Sequence, residues 1–333
     1  MTNSPSGNSV LAFNRSPDGT LAFAGSYATG GLGLAGLTGT NQGGLTLSQD
    51  GSWLFVVNAG SDTISVFQVI QYPSTALILA DVVSSGGLTP VSVTASGAVV
   101  YVLDAGSATV PGNIAGFHLD NRGHLTPIPG SNQPLSGITS PAQISFNPRG
   151  TNLIVTEKST NLIDGYAVNS FGVASGPVLN PSSGATPFGF AFSNQGYLVV
   201  SDASIGALSS YSVSLSGSVT VISGSVPDGQ AAPCWVVVTS DGRLAFTANA
   251  HGDTISSYDI SPSGGLSLAQ GVAATTAATD IDMALSANSQ FLYVYDAGAN
   301  VIQAFSVHPD GTLSLIQTVS GITLAGGDGL ATN

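Results

Sequence analysis

Short apolar runs alternate with turns rich in glycine, aspartate and serine along the whole chain. Residues 45–67, LTLSQDGSWLFVVNAGSDTISVF, show the repeating unit most completely. An apolar run leads through a Ser-x-Asp-Gly turn into a second run that ends on Asn58, and a small-residue turn leads into a third run that ends on Phe67. Runs with a period of two that are joined by tight turns predict a β-meander. One meander cannot bury both of its faces, so we expect copies of it to stack.

Each copy ends its third run on an aromatic residue, and successive aromatics are 45 to 54 residues apart. This spacing suits a four-stranded propeller blade. The seven aromatic positions are Phe13, Phe67, Phe117, Tyr166, Tyr211, Tyr258 and Phe305. The chain is therefore predicted to be a single all-β domain over residues 1–333, a seven-bladed β-propeller with four-stranded antiparallel blades. No long segment has the 3.6-residue apolar period of a helix.

The two ends of the chain are predicted to close the ring. The first unit has no inner strand of its own, and residues 327–333, GDGLATN, follow the outer strand of the last unit. We expect that segment to supply the inner strand of the blade that residues 1–25 complete. Pairing of the N- and C-terminal segments would leave no unprotected sheet edge.

Composition narrows the classes of function. Charged residues make up only 7% of the chain, and the net charge is −13 because 18 acidic residues stand against five basic ones. So few cations disfavour nucleic acid and anionic membrane surfaces as partners, and no apolar run approaches the roughly 18 residues of a membrane-spanning helix. We expect a monomer that takes a small-molecule substrate or ligand. The single Cys234 excludes an internal disulfide and is interpreted as a small buried hydrophobe.

The first residues already belong to a repeat, since Asn3 falls where Asn58 falls in the unit above. We find no signal peptide and expect a secreted or periplasmic protein whose leader has been removed. A formal G-x-G-x-x-G occurs at Gly31, Gly33 and Gly36. It lacks the preceding strand and following helix of a dinucleotide site, so it is interpreted as a loop between blades.

The second run of each unit ends on an amide or carboxyl side chain, and sevenfold geometry would place these side chains in a ring. They are Asn3, Asn58, Asp104, Glu157, Asp202, Asn249 and Asp296. Asn and Asp suit turns because their side chains hydrogen-bond to nearby backbone groups, which accounts for most of the set. Glu157 is the only glutamate in the chain, and its neighbour Lys158 is the only lysine. A carboxylate with a cation nearby can act as a general base; a local ion pair is the alternative.

Asp280 and Asp282 head the sixth inner strand, where alternation would place both on one face. Two carboxylates could bind a divalent cation such as Ca²⁺, Mn²⁺ or Zn²⁺ through oxygen. They could equally be solvated residues at a channel mouth. The predicted activity requires no cofactor, and a cation here would be an addition to it.

Phe188, Trp235 and His251 fall near the rims of neighbouring blades and could line a pocket. Asp202, from the ring of second-run ends, is added to them as a candidate for substrate binding. The alternative for an aromatic residue in a propeller is packing between blades.

The units at residues 48–58, SQDGSWLFVVN, and 249–258, NAHGDTISSY, resemble the seven-bladed propeller lactonase family, which includes 6-phosphogluconolactonases and carboxymuconate-lactonizing enzymes. The resemblance covers essentially the whole chain and implies a propeller that processes lactones. Catalytic members carry histidine or arginine just after the proline of an inner strand and a carboxylate at the end of the next strand. Here Glu157 matches the carboxylate, whereas Ala142 and Gln143 stand at the histidine or arginine positions.

Two hypotheses of function follow. A lactonase-like hydrolase would use Glu157 to activate water, with Lys158 or Gln143 stabilising charge on the carbonyl oxygen. A phosphorylated lactone would need several cations for its phosphate, so we expect a small, non-phosphorylated lactone or related cyclic ester in the central pocket, with metal assistance as a variant. The alternative is a non-catalytic secreted propeller that binds a ligand or a protein partner.

Overall fold

The computed structural model describes residues 1–37, 39–72, 74–322 and 326–333, and these residues form 27 strands. No helix occurs in these ranges, and therefore none that could cross a membrane. The strands are β1 (Ser9–Arg15), β2 (Leu21–Ala28), β3 (Leu45–Leu47), β4 (Trp53–Asn58), β5 (Thr63–Ile70), β6 (Ala76–Ser84), β7 (Pro90–Ser96), β8 (Val99–Asp104), β9 (Asn113–Leu119), β10 (Leu125–Pro127), β11 (Gln133–Pro134), β12 (Pro141–Phe146), β13 (Asn152–Glu157), β14 (Leu162–Val168), β15 (Ala174–Pro181), β16 (Pro187–Phe192), β17 (Leu198–Asp202), β18 (Ala207–Val213), β19 (Val219–Pro227), β20 (Pro233–Val238), β21 (Leu244–Asn249), β22 (Thr254–Ile260), β23 (Leu266–Thr275), β24 (Asp280–Leu285), β25 (Phe291–Asp296), β26 (Val301–Val307) and β27 (Leu313–Val319).

The described strands assemble into antiparallel sheets in chain order, as a chain of meanders requires. Five sheets have four strands: β3–β6, β12–β15, β16–β19, β20–β23 and β24–β27. The sheet of β7–β10 has four strands in one path, and the short β11 also pairs with β9. The remaining sheet contains only β1 and β2. The predictions of an all-β chain and of four-stranded antiparallel blades are confirmed.

In most of the sheets, the aromatic residue near the end of the third strand marks a break in sheet register. The pairing of the third strand with the fourth shifts beside Phe67, Tyr211, Tyr258 and Phe305. A β-bulge of this kind increases the local twist and bends the outer strand. The aromatic side chains themselves are buried between neighbouring sheets, with Tyr211 and Tyr258 at 0% exposure.

The C-terminal residues lie against the N-terminus, but not as a strand. The Met1 ammonium donates to the carbonyl oxygens of Asp328 (3.0 Å) and Gly329 (3.2 Å), and the Asp328 N–H donates to the carbonyl of Met1 (3.1 Å). Leu330 and Ala331 pack against two different core clusters, on either side of the β1–β2 sheet. None of residues 327–333 is in a strand. Gly329 has a φ of 78°, outside the β region, and interrupts the extended run.

Residues 39–44, which we call the axial segment, join the inner strands of several sheets. The N–H of Gln42 donates to the carbonyl of Ala142 on β12 (3.0 Å). The Gln42 side chain exchanges two hydrogen bonds with the backbone of Val236 on β20, at 2.9 and 3.1 Å. The Val93 N–H on β7 donates to the carbonyl of Gly43 (2.9 Å). The axial segment therefore contacts the inner strands of three different sheets.

Candidate functional site

A cavity of about 800 Å³ lies beside the axial segment, and we call it the axial pocket. Its lining comes from the ends of inner strands and from the turns between second and third strands. Side chains that characterise it are Lys158, Phe188, Cys234, Trp235, His251 and Ile281. The volume is in the range of small-molecule sites. Four of the candidate site residues from the sequence analysis thus lie together in this cavity, namely Lys158, Phe188, Trp235 and His251.

Two aromatic side chains form one wall of the axial pocket. The rings of Phe188 and Trp235 meet edge to face, with 5.4 Å between centroids and an interplanar angle of 63°. The indole N–H of Trp235 donates to the carbonyl oxygen of Asn41 (3.0 Å), which fixes the ring against the axial segment. An aromatic surface with a fixed orientation favours an apolar or planar ligand over a flexible charged one.

Lys158 supplies a positive charge to this pocket. Its Nζ donates to the carbonyl oxygen of Thr40 and lies 4.7 Å from the ring centroid of Phe188, a cation–π contact. Burial lowers the pKa of Lys158 from 10.5 to about 8, while the nearby Cys234 and Asp328 act in the opposite direction. The side chain is thus mostly an ammonium at pH 7. None of the residues that line the pocket is an aspartate or a glutamate.

Cys234 lies in the pocket lining and is buried, with 8% exposure. Burial raises the pKa of its thiol to about 12, and Asp280 contributes to the shift. A thiol with that pKa is protonated at neutral pH and is a poor nucleophile. Its environment matches the interpretation of Cys234 as a small buried hydrophobe.

Glu157 does not lie in the axial pocket, although it precedes Lys158 in the chain. Its carboxyl group is fully buried and accepts hydrogen bonds from the Ser136 N–H (3.0 Å), the Ser136 hydroxyl (2.5 Å) and the Thr160 hydroxyl (2.6 Å). Three protein donors occupy the positions that a water molecule or substrate would need. The predicted contact of Glu157 with the central cavity is therefore wrong, and the geometry gives it a structural role.

A second acid adjoins Glu157 inside the same sheet. Asp164 lies on β14, next to the strand that Glu157 ends, and it is fully buried. Burial raises the pKa of Asp164 to about 8, and the neighbouring Glu157 adds to the shift. Asp164 is thus held protonated at neutral pH by its surroundings.

Other second-strand ends also turn into their sheets. Asn58 donates to the Ser65 hydroxyl (2.8 Å), Asn249 donates to the Ser256 hydroxyl (2.8 Å), and Asp202 accepts from the Ser209 hydroxyl (2.6 Å). In each case the partner lies on the third strand of the same sheet. Asp202, predicted for substrate binding, is accordingly fully buried and absent from the pocket lining.

Gln143 serves as a bridge between two inner strands. Its amide donates to the Phe190 carbonyl (3.0 Å), and its side-chain oxygen accepts from the Phe190 N–H (2.7 Å). The side chain is buried in this contact between the two strands, and the lining of the axial pocket does not include it. Gln143 is therefore not placed to contact a substrate carbonyl in the axial pocket.

Asp280 and Asp282 are both buried, but they face different groups. A register shift between them breaks the alternation that would have placed them together. The pKa of Asp280 is raised to about 8 by burial, with Asp296 and Asp253 adding to it, whereas the carboxyl of Asp282 faces Asp328 and the Met1 ammonium. Within the described part of the chain no group of three or more histidine, cysteine, aspartate or glutamate residues is placed to hold a metal ion.

The axial segment is the part of the site that sequence reasoning missed. Gly39 lines the pocket, Thr40 accepts from Lys158, and Asn41 accepts from Trp235. A signal was present in the spacing, because the interval from Phe13 to Phe67 is the longest, at 54 residues. The extra residues of this interval include the axial segment, in which Asn41 and Gln42 lie between glycines.

Comparison with known proteins supports the resemblance over part of the chain. Residues 185–281 match the family model described as "Lactonase, 7-bladed beta-propeller". The matched range contributes Phe188, Trp235, His251 and Ile281 to the axial pocket. No curated protein sequence matches the chain.

Solved structures show the same fold at low sequence identity. A periplasmic gluconolactonase from Pseudomonas aeruginosa has a TM-score of 0.73 at 17% identity, with 96% of this chain and 94% of that chain covered. A Bacteroides fragilis protein, provisionally assigned as a 6-phosphogluconolactonase, has a TM-score of 0.70 at 18% identity, covering 95% and 93%. A virginiamycin B lyase variant from Staphylococcus aureus has a TM-score of 0.58 at 16% identity, covering 92% and 88%. The chain is a β-propeller, and relatives in fold differ in chemistry.

Proposed function

We propose that the protein hydrolyses a small, non-phosphorylated lactone or related cyclic ester in the axial pocket. The observation that carries the proposal is the pairing of one ammonium group with an aromatic wall. Lys158 lies against Phe188, which in turn packs on Trp235. An ester carbonyl directed at the ammonium, with its ring on the aromatic surface, would meet a stabilising charge where negative charge develops.

His251 would act as the general base, and Lys158 would stabilise the oxyanion. Water adds to the carbonyl carbon while His251 accepts its proton, and Lys158 stabilises the resulting oxyanion. The oxyanion then re-forms the carbonyl as the ring C–O bond breaks, and His251 returns the proton to the leaving alkoxide. The product is a hydroxy acid. His251 is exposed at the pocket rim, where water has access to it.

The charge of the pocket favours a substrate without phosphate. Lys158 is the one lysine among the lining residues, and no arginine is among them. A phosphate group is usually held by several cationic or backbone N–H donors. A gluconolactonase-type substrate, as named for the Pseudomonas aeruginosa neighbour, fits this charge better than its phosphorylated counterpart.

The test is turnover of a panel of five- and six-membered lactones, with and without a phosphate group, by the intact protein. We expect hydrolysis of at least one uncharged lactone, and we expect His251→Asn to lower kcat/KM about 10²-fold, the lower end of the range for general-base catalysis. A matched control is His124→Asn, since His124 lies on the surface beside Asp120. Equal loss in both variants, or no turnover of any lactone, would refute the proposal.

A second candidate function is a non-catalytic propeller that binds a ligand or a protein partner. It is supported by the absence of any carboxylate from the pocket lining and by the engagement of Glu157 with Ser136 and Thr160. In that case the lactones would bind without being hydrolysed. Calorimetry on the same panel separates the two functions, because binding without turnover favours the second.

Four further parts of the proposal concern the whole molecule: its blade number, oligomeric state, location and cofactor requirement. We propose seven blades, with the β1–β2 sheet completed where Met1 and Asp328 exchange hydrogen bonds. We propose a monomer in a secreted or periplasmic location, which agrees with the word periplasmic in the name of one neighbour in fold. Hydrolysis would need no cofactor, and turnover would not depend on a divalent cation at Asp280 or Asp282.

A further inference from the structure

The side chain of Lys158 offers the axial pocket a group that the proposed hydrolysis uses in only one of its two forms. Lys158 is the only lysine of the chain, so the pocket holds its only side-chain amine. The residue is only partly buried and lines the cavity, so a molecule in the pocket can reach it. Hydrolysis would use the ammonium ion and leaves the neutral amine without a role.

The neutral amine is well populated. Lys158 takes part in no salt bridge among the described residues, since the one that they form joins His124 to Asp120. Burial therefore dominates and lowers the pKa of Lys158 from 10.5 to about 8, although Cys234 and Asp328 act in the opposite direction. At pH 7 about one molecule in ten then carries the neutral amine, against roughly one in three thousand for an exposed lysine.

A neutral amine in a partly desolvated pocket is a nucleophile. Its lone pair adds to carbonyl carbon, and lysines whose charged form is disfavoured by burial are the ones that form Schiff bases in proteins. The Nζ of Lys158 lies 4.7 Å from the ring centroid of Phe188 and donates to the carbonyl oxygen of Thr40. These two contacts hold the nitrogen beside an aromatic surface, on which a flat ring would stack.

The lining favours a flat, apolar carbonyl compound. Phe188 and Trp235 meet edge to face, and the indole N–H bonds to the carbonyl of Asn41. Small side chains supply much of the remaining surface: Ala203, Ala231, Ala232, Ala250 and Ala297. A keto acid would need a second cation for its carboxylate once Lys158 has reacted, and no arginine is among the lining residues.

We propose that Lys158 forms an imine with a small aromatic aldehyde in the axial pocket, an activity that goes beyond the hydrolysis of lactones. The lone pair of Nζ forms a bond to the carbonyl carbon, the C–O bond breaks, and the two amine hydrogens leave with the oxygen as water. One amine and one aldehyde thus give one imine and one water. After protonation the imine nitrogen keeps one N–H for the carbonyl of Thr40, and its positive charge remains beside Phe188.

The experiment treats the intact protein with benzaldehyde and sodium cyanoborohydride at pH 7. Hydride from the reductant converts the imine to a stable secondary amine, so mass spectrometry of the intact protein and of its peptides locates the adduct. N-acetyl-lysine amide in the same solution gives the rate for an exposed amine. The matched control is Lys158→Arg, which keeps a cation over Phe188 and forms no imine.

We expect one label on the peptide that contains Lys158, formed about tenfold faster than on N-acetyl-lysine amide, because a larger fraction of the buried amine is neutral. Lys158→Arg should take up no label in that peptide. With each rate divided by that of N-acetyl-lysine amide, pyruvate should react more slowly than benzaldehyde. Phe188→Leu should slow benzaldehyde relative to acetaldehyde about threefold, since the ring contact is lost.

Three results would overturn the proposal: no label at Lys158 in the wild-type protein, a rate no higher than that of the reference amine, or a preference for pyruvate. The peptide map of the wild type decides even if a variant fails to fold. Labelling of Lys158 in a protein that hydrolyses no lactone would support the imine and refute the proposed hydrolysis. Hydrolysis without labelling would do the reverse.

Discussion

Glu157 and Lys158 are neighbours in the chain, but they belong to different regions of the molecule. The carboxyl group of Glu157 lies inside the β12–β15 sheet, where Ser136 and Thr160 donate to it. The ammonium group of Lys158 lies in the axial pocket, against Phe188 and the carbonyl of Thr40. Successive side chains point to opposite sides where a strand ends, so adjacency in sequence did not bring the two charges together. A residue type that occurs only once in a chain can thus have a purely structural role, and its surroundings determine whether its role is structural or catalytic.

The largest effect that would test this contrast is the loss of stability in Glu157→Ala. Three hydrogen bonds from the exposed residues Ser136 and Thr160 would be lost, each contributing about 0.5–1.5 kcal/mol net, and the cavity left by the removed side chain adds to the cost. We expect the free energy of unfolding to fall by roughly 4 kcal/mol in urea titrations, and Glu157→Gln, which keeps the volume and one oxygen, to lose less than half as much. A fall below about 1 kcal/mol in Glu157→Ala would show that the hydrogen bonds of Glu157 do not stabilise the sheet.

Lys158→Met tests the other side of the contrast. It keeps an unbranched side chain over Phe188 and removes the ammonium group. We expect kcat/KM for the best lactone to fall about 10²-fold, as for the removal of one oxyanion donor. Stability should stay the same or rise, since a buried charge no longer has to be desolvated. Activity at the wild-type level would remove Lys158 from the mechanism.

The pH dependence of stability should have opposite signs for the two regions. Asp164 has a pKa of about 8 in the folded protein against 3.8 as its ordinary value, so the folded state binds the extra proton between these values. Its contribution to stability is full below about pH 4 and is lost as the pH rises to about 8. Lys158, lowered from 10.5 to about 8, makes stability rise with pH between those values.

Asp164→Asn separates these contributions. The free energy of unfolding of the variant is subtracted from that of the wild type at each pH. Near pH 6 this difference should have a slope that approaches about −1.4 kcal/mol per pH unit, the value for one proton bound by the folded state. Other buried acids remain in both proteins and cancel in the difference. A flat difference curve between pH 4 and pH 8 would mean that Asp164 is ionised in the fold.

Chelation should have the smallest effect. We expect EDTA to leave both lactone turnover and the melting temperature unchanged, because the two carboxyls of Asp280 and Asp282 face different groups. Added Ca²⁺, Mn²⁺ or Zn²⁺ after chelation is the control. Turnover that EDTA abolishes and one of these ions restores would reverse the assignment and make the enzyme metal-dependent.

Much of the fold followed from period-two patterning and turn residues. The second strands end at Asn58, Asp104, Glu157, Asp202, Asn249 and Asp296, as the repeat predicted. These positions could be read from sequence because strand ends depend on local turn chemistry. Residues 327–333 were predicted to form a strand, but they do not form one. The backbone of Gly329 adopts a positive φ, which the amino-acid sequence alone does not reveal.

The site was predictable only where side chains sit on the pocket rim. Phe188 and Trp235 line the axial pocket because they lie at the starts of the inner strands β16 and β20, and His251 lines it because it follows the end of β21. Gln143 and Asp202 failed because their partners, Phe190 and Ser209, lie on a neighbouring sheet and on the next strand. Contacts across a sheet or between sheets depend on register, which the spacing of aromatics does not specify.

The axial segment has a consequence for how the molecule comes apart. Arrays of repeats that touch only their nearest neighbours can unravel from one end, unit by unit. Here Gln42 and Gly43 fasten β12, β20 and β7 to the same short piece of backbone. Detaching any of those sheets also loosens the other two, so denaturation should be one cooperative transition, with coincident midpoints from tryptophan fluorescence and circular dichroism.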